Sequence, residues 1–213
     1  MGNITHIISG AIILSIVHAA MPNHWLPIVA IGKSEKWGRR ETLNVTAVAS
    51  IAHTISSIAI GIVVGIVGYK LSSSYEIVTR IIAPLILVSL GIIYIALDYR
   101  ENKKHLHHHH IDIDITRKKS KTAIVITLCL AMLFSPCIEI EAYYFVASAY
   151  GWLGIFLVSV IYFFLTITGM ILLVYYASKG IEFLNLHFME HHEKLVSGVV
   201  LILLGILAFV VEY

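Results

Sequence analysis

Charge is scarce in this sequence of 213 residues. Only 13% are Asp, Glu, Lys or Arg and 58% are apolar, against a charged share of about 25% in soluble domains. That balance excludes a soluble globular domain and a disordered segment. The formal charge is only +2, which excludes a nucleic-acid-binding module, because such modules concentrate basic residues on one face. Cysteine is nearly absent. Cys129 and Cys137 share one apolar stretch, so no secreted disulfide framework is present. No basic segment precedes the first apolar run, so residues 1–20 do not read as a cleaved signal peptide.

What the chain does contain is a series of stretches without Asp, Glu, Lys or Arg: 1–32, 42–69, 81–97, 122–138, 142–178 and 195–211. A membrane-crossing helix needs about 20 apolar residues. A turn signal at Gly151–Gly154 marks where one helix ends and the next begins. Six spans follow, at about 4–31, 43–69, 77–98, 122–149, 152–177 and 194–212. The first, third and fifth loops hold 13 of the 15 Lys and Arg residues. The positive-inside rule places those loops in the cytoplasm and both termini outside, in a cell membrane.

Two spans are too long. Residues 4–31 and 122–149 run 28 residues each, about 42 Å of helix against a hydrocarbon core of roughly 30 Å. Each carries a proline near its centre, Pro22 and Pro136. The expectation is an all-α membrane protein of six transmembrane helices, arranged as two inverted three-helix repeats, with helices 1 and 4 broken at Pro22 and Pro136. Residues 1–98 form the first repeat, 99–121 a His-rich cytoplasmic loop and 122–213 the second repeat. Proline-interrupted segments in matching places point to a binding site at the bilayer midplane.

Ionisable residues inside a membrane are costly and default to functional sites. The first broken span holds His18 and His24. On an unbroken helix the two would lie about 240° apart and could not share a ligand. Pro22 breaks the ladder between them and lets His24 swing towards His18. The second span adds His53 and Thr54. The fourth adds Cys137, Glu139 and Glu141, directly after Pro136. Imidazole, thiol and carboxylate together suit a divalent transition metal, Ni²⁺, Co²⁺ or Zn²⁺, rather than Mg²⁺ or Ca²⁺. The plainer alternative is that each histidine bonds a backbone carbonyl freed by a helix break. Cys129, in an unbroken apolar run, reads as a packing thiol.

The run His18-x5-His24, followed by Ala52-His53-Thr54 and by Pro136-Cys137, resembles the NicO-type nickel/cobalt transporters of the LysE-like superfamily. The resemblance implies a metal site at His18, His24, His53 and Cys137, and a His-rich cytoplasmic loop between helices 3 and 4, where this chain has His105–His110. The chain departs from related uptake permeases at Asn23, where they carry aspartate, and its loop is shorter than in efflux relatives.

Two further tracts suit metal capture. His105, His107, His108, His109 and His110 form a cytoplasmic cluster, of a composition that binds transition metals through neutral imidazole. His187 and His191 lie four apart within His187-x-x-Glu190-His191, the inverted zincin pattern. Residues 179–192 read equally as an amphipathic interfacial helix. The sequence therefore predicts a secondary transporter for a divalent transition metal, nickel or cobalt foremost, exporting in exchange for protons. Glu139, Glu141 and Thr54 are further candidates for the metal or proton path. No catalytic residue and no organic cofactor is implied. A CcdA-type thiol–disulfide carrier and a membrane metalloenzyme using the loop-five pattern are the alternatives. The partners are the lipid bilayer and metal ions. Gly61, Gly65 and Gly68 offer a close-packing surface to a neighbouring helix, which leaves a homo-oligomer open.

Overall fold

The computed structural model describes residues 4–72, 81–104, 120–135, 137–179 and 193–211. Every regular element among them is a helix: α1 (Thr5–Ala20), α2 (Pro22–Ser34), α3 (Arg39–Ser72), α4 (Ala83–Lys104), α5 (Lys121–Leu133), α6 (Ile138–Ala147), a single 3₁₀ turn (Ser148–Tyr150), α7 (Gly151–Ser178) and α8 (Glu193–Val211). Four stretches are long and apolar enough to cross a membrane: Thr5–Ser34, Arg39–Leu71, Ala83–Arg100 and Ile138–Ser178. Lys121–Leu133 and Lys194–Leu207 are shorter apolar helices. The outer faces are correspondingly apolar. Val63, Phe156, Phe164 and Leu203 are each at least 60% exposed, which water would penalise and acyl chains accept.

Both expected breaks are present. Between α1 and α2, Met21 is extended at φ −62°, ψ 126°, and Pro22 opens α2. A residue before proline is disfavoured in the helical region, and proline is well tolerated as the first residue of a helix. The second break separates α5 from α6. α2 ends in a Schellman-type cap. Trp37 N–H donates to the Gly32 carbonyl and Lys36 N–H to the Lys33 carbonyl, with Lys36 left-handed at φ 54°. That cap turns the chain within four residues into α3. Gly151, at φ 66°, makes the equivalent sharp entry into α7.

α3 packs on α5, α6 and α7, while α7 packs on α1 and α2. α4 pairs with α8, almost backbone to backbone. A Cβ on Gly198 would stand 2.7 Å from the Gly91 carbonyl oxygen. The glycines of α3 are also in use, inside the chain. Gly61 lies against Tyr144, Gly65 against Ile155 and Gly68 against Ser148 and Phe145. Two hydrophobic clusters result. One gathers Ile7, Leu14, Tyr143, Tyr144, Val158 and Leu201. The other gathers Trp25, Ile28, Val45, Met132 and Met170. The α1–α2 break lies between them, with His18 at the end of α1 and His24 at the start of α2.

Candidate metal centre

Four residues converge at the breaks. His18 comes from the last turn of α1, His24 from the first turn of α2, His53 from the middle of α3, and Cys137 caps α6. One ligand atom from each lies within 4.8 Å of the other three. His18 Nε2 is 3.2 Å from His53 Nε2, and Cys137 Sγ is 3.3 Å from both. All four residues are buried. The His24 ring stands 4.5 Å from that of His18 and 4.7 Å from that of His53, centre to centre.

The orientation of His53 follows from the second break. Its Nδ1 lies 3.0 Å from the Met132 carbonyl oxygen. A carbonyl only accepts, so Nδ1 carries the proton and Nε2 presents its lone pair to the cluster. In a continuous helix the Met132 carbonyl would serve the N–H of residue 136, and Pro136 has none. The proline therefore leaves an acceptor that holds the imidazole in the useful tautomer, the role second-shell partners play at metal sites. His18 differs: its Nδ1 is buried without a partner.

A cavity of about 170 Å³ opens beside the cluster, lined by Asn23, His24, Tyr94, Cys137, Glu139, Lys194 and Ser197 among others. Of the four ligands, His24 and Cys137 line it, together with Lys194 from the start of α8. Glu139 is buried in its wall, beside Tyr94 and Ser197. Glu141 lies on another face of α6. Both its carboxylate oxygens are buried and unpartnered, and Tyr162 is its neighbour. Ser57 and Tyr162 flank the Cys137 thiol, and neither hydroxyl closes a hydrogen bond. Thr54 is buried, but its hydroxyl donates to the Ser50 carbonyl at 2.8 Å and so serves its own helix. Cys129 and Cys137 are both free thiols. His105, His107, His108, His109, His110, His187 and His191 lie outside the described residues.

The sequence did not point to Tyr94, Tyr162, Ser197 or the Met132 carbonyl. The first three are neutral polar residues in apolar spans, with no motif around them. The carbonyl did have a signal, the proline four residues later.

The arrangement can hold a transition metal. Zinc sites of this kind use nitrogen and sulfur donors at about 2.0–2.3 Å from the ion, and four such donors meet here in a buried, cavity-connected position. The chain matches no known protein family, no curated protein and no solved structure.

Proposed function

We propose that the chain is a secondary transporter that carries a divalent transition metal ion across a membrane, with His18, His24, His53 and Cys137 as its midplane site. The observation that carries this reading is the convergence of those four ligands at two helix breaks, beside a cavity that two of them line. A resident structural metal would need no such adjoining cavity, and ligands on broken helices are the arrangement expected of transporters.

The contact pattern supports two inverted repeats of three spans. Exchange of the halves turns α1 on α7 into α5 on α3, α2 on α7 into α6 on α3, and α2 on α3 into α6 on α7; all six contacts occur. The breaks correspond as well. Met21 N–H meets the His18 carbonyl at 3.2 Å, and Ser135 N–H meets the Met132 carbonyl at 3.4 Å. These pairs are 114 residues apart, as are Pro22 and Pro136. The third helices depart from the symmetry, since α4 touches α6 whereas α8 touches α1 more than α2. One half rocking against the other would expose the site alternately to the two sides.

By the positive-inside rule Lys194, in the cavity lining, lies at the cytoplasmic end of α8, on the side of the His-rich loop. That favours export, and the resemblance of the motifs to NicO-type carriers supports a metal cargo. The thiol–disulfide alternative is disfavoured, because Cys137 faces two imidazoles rather than a second thiol.

The test is flux of Ni²⁺, Co²⁺ and Zn²⁺ in liposomes, with residues 105–110 replaced by serine so that loop binding cannot mimic transport. Flux by this protein that disappears in His24→Ala is the expected result. Folded protein that moves none of the three ions under any pH gradient overturns the reading, as does undiminished flux in His24→Ala.

A further inference from the structure

We infer that the site is shaped for a four-coordinate ion of the Zn²⁺ type and discriminates against Ni²⁺. The inference rests on the four residues being a metal site and concerns which ion the site admits. His18 Nε2, His53 Nε2 and Cys137 Sγ form a nearly equilateral triangle with sides of 3.2, 3.3 and 3.3 Å. Zn–N and Zn–S bonds of about 2.05 and 2.3 Å, at tetrahedral angles, put nitrogens roughly 3.3 Å apart and nitrogen and sulfur roughly 3.6 Å apart. The triangle therefore already has nearly the dimensions of one face of a tetrahedron.

One face of a six-coordinate Ni²⁺ site, with about 3.0 Å between nitrogens and about 3.2 Å between nitrogen and sulfur, is nearly the same size. The ions are therefore told apart by the number and arrangement of donors rather than by this triangle alone. In a square plane, any three of the four ligands include a trans pair at about 4 Å, together with two shorter cis pairs. No side of this triangle approaches that length. An octahedron needs three more donors on the free side of the triangle. His18 and His53 are 1% and 0% exposed, so donors reach the triangle only from the cavity, and the one further side-chain ligand of the group there is His24. Its ligand atom lies within 4.8 Å of the others. An inward movement of at most about 1.5 Å places it at the fourth tetrahedral corner. Three corners are thus set in advance, and the fourth belongs to the residue at the cavity mouth. That residue sits directly after the helix break, where the backbone can adjust.

Selection between borderline metals is made by geometry rather than by intrinsic affinity, so spectroscopy tests the inference. Co²⁺ is titrated into purified full-length protein in detergent, with residues 105–110 and His187, His191 and His192 replaced by serine. The expected spectrum has the intense ligand-field bands of four-coordinate Co²⁺ and a thiolate-to-cobalt charge-transfer band. In competition, Zn²⁺ should displace Co²⁺ at a concentration about tenfold or more below that required of Ni²⁺. A weak six-coordinate spectrum, or Ni²⁺ displacing Co²⁺ as readily as Zn²⁺, overturns the inference and leaves the metal site standing. Folded protein that binds none of the three ions overturns both. The unsubstituted cysteine suffices for the spectrum; where Cys137→Ser also folds, its loss of the charge-transfer band identifies the sulfur.

Discussion

Gly10→Ala offers a quantitative test of how α6 is anchored. Gly10 lies in α1 under the ring of Tyr143, and a methyl group there would collide with the Tyr143 hydroxyl. It would also stand 2.8 Å from the ring carbon Cζ and 3.1 Å from Leu204 Cδ2. Tyr143 is 3% exposed, and its hydroxyl donates to the Ile7 carbonyl at 3.0 Å. The ring cannot withdraw without losing that bond and leaving a buried phenol unpaired. Crowding of this kind costs about 2 kcal/mol, and the stranded hydroxyl about 1.5 kcal/mol. Alanine regains about 1 kcal/mol of helix propensity over glycine. The net expectation is a loss of about 2.5 kcal/mol, read as a fall of roughly 5–10 °C in the Tm of detergent-solubilised protein by circular dichroism. The partner variant, Tyr143→Phe, removes the colliding oxygen. Alone it should cost about 1 kcal/mol. Combined with Gly10→Ala it should cost less than the two effects added, with a coupling of at least about 1 kcal/mol. A Gly10→Ala protein with raised Tm, or a strictly additive cycle, would show that α6 does not rest on α1 in this way. Cys137 caps α6, so loosening that helix should also weaken metal binding.

Three further outcomes are expected. Cys137→Ser should lower Zn²⁺ affinity more than 100-fold in a chelator competition, since loss of a second-shell partner alone costs about 10–100-fold. Glu139→Gln should lower affinity about tenfold while leaving the Co²⁺ spectrum unchanged, because the carboxylate acts through its field rather than as a ligand. Gly198→Leu should prevent recovery of a monodisperse protein by size exclusion, because its side chain would enter the Gly91 backbone. Gly38→Ala, with nothing within 4 Å of its Cβ, should behave as wild type.

The two breaks and the four side chains that meet at them were legible because apolar spans contain so few polar residues that His18, His24, His53 and the Pro136-Cys137 pair stand out. Helix ends were less legible. Charge-free runs mark the hydrocarbon core, while helices continue into water. α3 starts at Arg39 rather than near residue 43, and α4 runs on to Lys104. The glycine stripe of α3 was visible as a close-packing surface, but its partners were not, because Tyr144, Ile155 and Ser148 approach from distant parts of the chain. Tyr94 and Ser197 escaped notice since a neutral hydroxyl in an apolar run is a common helix-to-helix contact in membranes. Their proximity to Glu139 is a property of the tertiary fold alone.

The ligand set also fixes a charge count. Three neutral imidazoles and one thiolate carry a single negative charge, so a divalent ion seated among these buried ligands would keep one positive charge in an apolar surrounding. Two carboxylates follow Cys137 on α6, Glu139 in the cavity wall and Glu141 on another face of the helix with both oxygens unpartnered. Either carboxylate would supply the counter-charge that the four ligands leave short. On the proposed reading, the two glutamates would act less as ligands than as counter-charges to the carried cation.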